Sequence, residues 1–395
     1  MRRVRVLVVD DAVVVRKMVT DVLAADPQIE VVGIAANGKI ALQKISQCTP
    51  DLVTLDVEMP EMDGLTTIAE IRKTWHTLPV IMFSTLTERG ASATLEALSR
   101  GATDYVTKPA NVGSVTIAQQ RIRDELIPKI KALCAHVLAP VGTPLPRATV
   151  APRIGAPVAG PSTTTATSAI APLVSQAASR LSGPVVLSTS SSAALTIPRI
   201  IAIGSSTGGP NALIEVIPKI PALFPVPIVI TQHMPPMFTR LLADRLSSLS
   251  RVPVREAADG DVIRPGTVWV APGDYHMSLE RRDGQVVATL LQTPHENSCR
   301  PAVDVMLRSA VHCFGAGVLS VILTGMGQDG LRGSELVHYN GGSVIAQDEA
   351  TSVVWGMPGF VAKAGIASAV LPLSAIAPAI IAKVNPLTSV GSTCR

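Results

Sequence analysis

Two groups of residues in this chain have types and spacing suited to chemistry, and the first centres on a serine. In RIIAIGSSTGGP, Gly204, Ser206 and Gly208 satisfy G-x-S-x-G, the pattern that lifts a serine hydroxyl onto a sharp strand-to-helix turn. The glycines permit the tight backbone, and the N-terminus of the following helix favours developing negative charge. A nucleophilic serine needs a base, and the base needs a group to orient it. His233 ends the apolar run of ITQHMPP, and Asp329 follows the run that leads into LTGMGQDG. If these runs are neighbouring parallel strands, Ser206, His233 and Asp329 share one rim of a sheet. The glycine-rich stretch Gly325–Gly330 offers backbone N–H groups to an oxyanion there. Two other readings of the serine motif stand beside this one. A phosphate-binding loop would want G-x-G-x-x-G or a P-loop lysine, and both are missing; the other reading is a plain structural turn.

The second group is acidic. Asp10 and Asp11 close the first apolar run, and Asp56 closes the third, in LDVEMPEMDG. Carboxyl ends of parallel strands converge on one rim, where ligands bind. Three carboxylates gathered there repel one another unless a cation joins them, and hard oxygen donors with open positions suit Mg²⁺. Asp56 could then attack phosphorus and become an acyl phosphate. Ser84 ends the fourth run and could donate to the added phosphoryl oxygens. Lys108, in VTKP at the end of the fifth, supplies a positive charge for them.

Both groups need strands that alternate with helices. Short β-branched runs lie at Val4–Asp10, Ile29–Ala35, Leu52–Val57, Val80–Thr85 and Asp104–Thr107, with helix-length segments such as Leu65–Trp75 and Ser92–Arg100 between them. Ser114–His136 reads as a long closing helix. This alternation predicts a parallel sheet covered on both faces. From about Ala139 to Ile197 the chain is Ala, Pro, Ser, Thr and Val with almost no charge. That composition predicts a flexible linker, spanning roughly 40 Å as a coil. Alternation resumes at Pro198. Strands are expected at Ile200–Ile203, Val226–Thr231, Thr267–Ala271, Val286–Leu291, Val318–Thr324 and Ser343–Ala346. Helices are expected at Pro210–Ile220, Met237–Leu249 and Pro301–Phe314. The fold class is thus α/β: a doubly wound, flavodoxin-like domain over 1–125, a helix extension and linker over 126–197, and a mainly parallel α/β hydrolytic domain over 198–390.

Composition narrows the function classes. Net charge is +4 over 395 residues, with the basic residues dispersed. That gives little support for nucleic-acid binding, and the C-terminal zone is too long and too weakly basic for a helix-turn-helix module. Cys48, Cys134, Cys299, Cys313 and Cys394 are scattered without zinc spacing, as expected of reduced thiols in a cytoplasm. No apolar run reaches about 18 residues, so membrane insertion is not expected. His76, His136, His312 and His338 sit in helical or flanking segments and read as structural. His276 and His295 are left without a role.

The motifs VLVVDD, LDVEMPEMDG, the strand-end Ser84 and VTKP resemble those of two-component response-regulator receivers. That resemblance implies that Asp56 is the phosphoacceptor, that Asp10 and Asp11 help hold Mg²⁺, and that Ser84 and Lys108 sense the phosphoryl group. The order Ser, His, Asp differs from the Ser, Asp/Glu, His of common α/β-hydrolases. IAIGSSTGGP, ITQHMPP, VAPGDYHM, RPAVDVM and LTGMGQDG together resemble the chemotaxis protein-glutamate methylesterases, which join a receiver to a hydrolase. The resemblance implies a nucleophile at Ser206, a base at His233, its orienter at Asp329 and an oxyanion donor in the Met326 N–H. It implies methyl-accepting chemoreceptors as substrate, possible deamidation of receptor glutamines, a chemotaxis histidine kinase as phosphodonor, and ester hydrolysis without a cofactor. The linker is longer than the family's usual one, which weakens the expectation of tight packing between the domains. The alternative function is a regulator without catalysis that acts by binding a protein.

Overall fold

The computed structural model describes residues 2–108, 114–138 and 196–385. The first unit alternates strictly: β1 (Val4–Val9), α1 (Val13–Ala24), β2 (Ile29–Ala35), α2 (Gly38–Cys48), β3 (Leu52–Asp56), α3 (Gly64–Thr74), β4 (Val80–Ser84), α4 (Glu88–Ser99), β5 (Asp104–Thr107). Its strands pair in parallel in the order β2-β1-β3-β4-β5. Val6, Leu7, Val53, Leu55 and Ile81 are buried in the strands, the composition of a sheet covered on both faces. Helix starts are set by polar caps. The Asp63 carboxylate accepts from Thr66 N at the start of α3, and the Thr87 hydroxyl accepts from Gly90 N at the start of α4. The expected single closing helix is two: α5 (Val115–Leu133) stops at Cys134, and α6 (Ala135–Leu138) follows. The linker lies outside the described residues as far as residue 195, as does everything after 385.

The second unit is built on β6 (Ile200–Ser205), α7 (Gly209–Val216), β7 (Ile228–Gln232), α8 (Phe238–Leu249), β8 (Val254–Glu256) and β9 (Val268–Val270). A hairpin, β10 (His276–Arg282) and β11 (Gln285–Leu291), precedes α9 (Val303–Phe314). Then come β12 (Val318–Ile322), α10 (Leu331–Tyr339), β13 (Ser343–Gln347), α11 (Met357–Lys363), β14 (Ala369–Leu371) and α12 (Leu373–Val384). Seven strands form one parallel sheet in the order β14-β13-β12-β6-β7-β9-β8. The run at 286–291 is not one of them. It pairs antiparallel with β10, and Val286, Val287 and Ala288 are buried in succession. The chain leaves β6 toward β7 on one side and returns to β12 on the other. That reversal makes the crevice beside β6 the topological switch point, where ligands of such sheets bind.

The two units pack directly against each other. The Tyr105 ring of β5 stacks on the Phe238 ring of α8, centroids 4.9 Å apart and 7° from parallel. Asn211 Nδ2 donates to Leu98 O at 2.9 Å, and Arg245 Nη2 to Ser99 Oγ at 2.7 Å. The end of α4 is thus seated on α7 and α8, the helices that follow the strands bearing Ser206 and His233.

Candidate active site and acidic pocket

The acidic residues meet at the carboxyl edge of the first sheet. One ligand atom each from Asp10, Asp11 and Asp56 lies within 4.8 Å of the others. Lys108 Nζ bridges Asp10 Oδ2 at 2.8 Å and Asp56 Oδ2 at 2.7 Å. Burial pushes the Asp56 carboxyl up to about 6; the hydrogen bond from Lys108 opposes this and the charge of Asp10 adds to it. When ionised, the three carboxylates carry two more negative charges than Lys108 neutralises. All are hard oxygen donors, and Asp11 is exposed, so the set fits a divalent cation of the Mg²⁺ type that keeps open positions. Arg16 secures the loop by donating to the main-chain oxygens of Asp10 and Asp11. Ser84 is fully buried and donates to Gly90 O at 3.0 Å. Its hydroxyl is therefore engaged with the first turn of α4.

At the carboxyl edge of the second sheet, Ser206 follows β6, His233 follows β7 and Asp329 follows β12. His233 Nε2 lies 2.8 Å from Asp329 Oδ2. The other ring nitrogen, Nδ1, lies 3.4 Å from Cys299 Sγ. Among the described residues no hydrogen bond joins Ser206 Oγ to the imidazole. The Asp329 carboxylate also accepts from Val303 N at 2.6 Å, Asp304 N at 3.0 Å, Gly330 N at 3.0 Å and Asn297 Nδ2 at 2.9 Å. Two of these are free amides at the N-terminus of α9, where a carboxylate is favoured. Burial raises the Asp329 carboxyl, but the hydrogen bond and charge of His233 and the α9 amides hold it below the usual range. Burial pulls the His233 imidazole down, yet Asp329 and then Cys299 push it up to about 10.

The turn that carries Ser206 is held from several sides. Gly208 has φ of +78°, open to glycine at no steric cost. A Cβ on Gly204 would lie 2.5 Å from Val303 Cγ1, so glycine lets β6 approach the start of α9. Ser206 N donates to Thr324 O at 3.0 Å, and Gln232 Nε2 donates to Ser206 O at 2.9 Å. Gln232 Oε1 accepts in turn from Ser205 Oγ at 2.7 Å. The N–H groups of Met326 and Thr207 have no intramolecular acceptor among the described residues.

Residues 201–380 match the family model described as CheB methylesterase, and residues 6–118 match that of the response regulator receiver domain. A protein-glutamate methylesterase/protein-glutamine glutaminase of Trichodesmium erythraeum is 48% identical over 98% of this chain and 100% of its own length. The chain belongs to the CheB methylesterase family. A protein of the same description from a Nocardioides species is 50% identical over 96% of this chain and 94% of its own. Among solved structures, the Thermotoga maritima CheB methylesterase catalytic domain is 47% identical and covers 47% of this chain and 97% of its own, with a TM-score of 0.46. The receiver domain of Thermotoga maritima CheB is 41% identical over 33% of this chain and 95% of its own, with a TM-score of 0.30.

In this CheB-family chain, sequence reasoning missed Gln232, Asn297, Cys299 and Asp304 as parts of the site. Gln232 was within reach, since it adjoins His233 in a quoted motif. Asn297 and Cys299 lie in HENSCRP, a stretch without periodicity, and reach the site only through the fold. Asp304 is buried, accepting from Gly333 N at 2.7 Å and Asn297 Nδ2 at 3.0 Å. Burial, then the charge of Asp329, raises its carboxyl to about 6. His276 is fully buried between Ala302 N and Pro294 O, a structural position.

Proposed function

We propose that this chain is a phosphorylation-controlled methylesterase acting on glutamate methyl esters of chemoreceptors, with Ser206 as nucleophile, His233 as base and Asp329 as its orienter. The observation that carries this reading is the 2.8 Å contact between His233 Nε2 and Asp329 Oδ2, on the rim to which the G-x-S-x-G turn delivers Ser206. Ser206 Oγ attacks the ester carbonyl and its proton passes to His233 Nδ1. The tetrahedral oxyanion is met by backbone N–H groups, for which Met326 and Thr207 have free donors. As the intermediate collapses, the C–OCH₃ bond breaks and His233 returns the proton, releasing methanol. Water, deprotonated by His233, then cleaves the acyl-serine and regenerates the hydroxyl. A receptor glutamine enters the same path, with ammonia leaving instead. General-base catalysis is worth about 10²–10⁴ in rate, and each oxyanion donor about 10²–10³. A purely binding role leaves the buried Asp329–His233 pair without an account.

In the receiver, Asp56 is the phosphoacceptor, Asp10 and Asp11 with Asp56 would hold the cation, and Lys108 neutralises the added charge. Bound Mg²⁺ would supply charge neutralisation for phosphoryl transfer from a chemotaxis histidine kinase. The 1–125 receiver, the 126–197 extension and linker, and the 198–390 catalytic domain form the working organisation. Docking of α4 and Tyr105 against α7 and α8 supports control of the Ser206 rim by the receiver. A cytoplasmic location is consistent with this substrate and kinase; among the described residues no helix is long and apolar enough to cross a membrane. The test is methanol release from methylated receptor membranes, with and without a phosphodonor. Ser206→Ala should abolish turnover without lowering the unfolding midpoint. Wild-type release by that variant would sink the assignment.

A further inference from the structure

We infer that Cys299 is a positioning residue that occupies the Nδ1 side of His233 in the resting enzyme and must yield it to Ser206 before the ester is attacked. The inference rests on the reading of Ser206 as nucleophile and His233 as base. An imidazole has two ring nitrogens, each with one in-plane hydrogen-bonding position. Nε2 is committed to Asp329, so Nδ1 is the nitrogen left for the serine proton. Cys299 Sγ lies 3.4 Å from it, and among the described residues Ser206 makes no bond to the ring.

The thiol is aimed by a built turn. Glu296 and Cys299 exchange both backbone hydrogen bonds, at 3.1 and 2.9 Å, across Asn297 and Ser298. These two have φ of +52° and +64°, the pair of left-handed residues that a tight two-residue hairpin turn requires. Asn297 Nδ2 anchors the turn to Asp329 Oδ1 at 2.9 Å and Asp304 Oδ2 at 3.0 Å. Arg308 grips Glu296 on one flank, and Asp274 holds Arg300 on the other. The carboxylate that holds the imidazole therefore also holds the turn that presents the thiol. Their relative placement is fixed through Asp329.

The charged groups around the ring are few. Asp329 and Cys299 contact it directly. Asp304 lies behind Asp329 through Asn297, and Glu296 is paired with Arg308. Removing the thiol therefore frees Nδ1 for the serine proton. A thiol is a weak donor, so a serine hydroxyl can displace it, and the brake is mild.

The experiment uses the full-length protein and methanol release from methylated receptor membranes, with kcat and KM followed from pH 6 to pH 10. Cys299→Ala should raise kcat at neutral pH about three- to tenfold and leave KM unchanged. Cys299→Ser keeps a polar group of similar size against Nδ1, so its kcat at neutral pH should stay near or below wild type. A merely structural thiol gives the reverse order, Ala impaired and Ser restored, and that result overturns the inference. So does loss of turnover in Cys299→Ala, which would make the thiol a supporting or nucleophilic group. Should Cys299→Ala not fold, Cys299→Val, close to the thiol in size and without a hydrogen-bonding group, takes its place with the same rise in kcat expected. A Cys299→Val protein no faster than wild type overturns the inference. Ser206→Ala is the control for the underlying reading. Turnover by it refutes the nucleophile assignment, whereas a dead Ser206→Ala beside a Cys299→Ala no faster than wild type refutes only the role of the thiol.

Discussion

Replacing Asp329 by Asn tests the proposed mechanism at its most constrained atom. The carboxylate accepts from Val303 N and His233 on Oδ2, and from Asp304 N, Gly330 N and Asn297 Nδ2 on Oδ1. An asparagine supplies one acceptor and one NH₂ group in the same outline. With its oxygen on the Oδ1 side it keeps three of these bonds. Its NH₂ then faces the Val303 amide, donor against donor, and His233 Nε2. The ring can meet that NH₂ only by placing its own proton on Nδ1, the nitrogen that must take the proton of Ser206. In serine proteases the corresponding change lowers kcat about 10⁴-fold through the wrong tautomer. A fall of about 10³–10⁴, or roughly 4–5.5 kcal/mol of barrier, is expected here. The stranded Val303 amide should cost about 1–3 kcal/mol of stability. The assay is single-turnover methanol release, paired with a urea unfolding curve. A variant within tenfold of wild type would refute the orienter role. One that loses activity only in step with folded fraction would make Asp329 a structural cap.

The remaining predictions concern the receiver and its seat. Asp56 should take a Mg²⁺-dependent, acid-stable and base-labile phosphoryl group from a small-molecule donor, and Asp56→Asn should not; label mapped to Ser84 would reverse their roles. The folded-state pKa of Asp56 is raised to about 6, so its contribution to stability is present at low pH and lost as pH rises through about 6. Mg²⁺ should therefore raise the unfolding midpoint more at pH 7.5 than at pH 5.5, an increment that Asp56→Asn should largely remove; equal increments at both pH values would count against a cation held by Asp56. Asn211→Ala combined with Arg245→Ala should loosen the seat of α4, raise the unphosphorylated rate several-fold and narrow the gain from a phosphodonor; unchanged rates would remove this surface from the control of activity.

Strand ends were readable because strand and reactive residue are adjacent in sequence. Ile29–Ala35 and Asp104–Thr107 have the bounds their β-branched runs imply, and Asp10, Asp56, His233 and Asp329 need only a parallel sheet to share rims. What escaped depends on distance or brevity. Val254–Glu256 and Ala369–Leu371 are three-residue edge strands, too short to show a period. The run at 286–291 was readable as a strand but its partner was not, since antiparallel pairing with 276–282 depends on a turn at Asp283 and Gly284, both at positive φ. Cys299 meets a histidine 66 positions away. Its neighbourhood carries no motif that spells this out, because left-handed Asn297 and Ser298 are ordinary turn residues anywhere else. The long linker argued for loose association, yet it does not set the affinity of the faces it joins. Those faces meet through an aromatic stack and the hydrogen bonds of Asn211 and Arg245.

A hydroxyl owns a single proton, and that limits what Ser84 can transmit. It now spends that proton on the Gly90 carbonyl, in the opening turn of the helix whose far end meets Asn211 and Arg245. Turning toward a phosphoryl oxygen on Asp56 means letting go of Gly90. One neutral hydrogen bond is worth about 0.5–1.5 kcal/mol net, so this route alone can shift the balance between docked and released receiver by about tenfold at most. A larger response in this protein would require Lys108 or the Tyr105 stack to move as well. The size of the activation ratio would then count how many contacts take part in the switch.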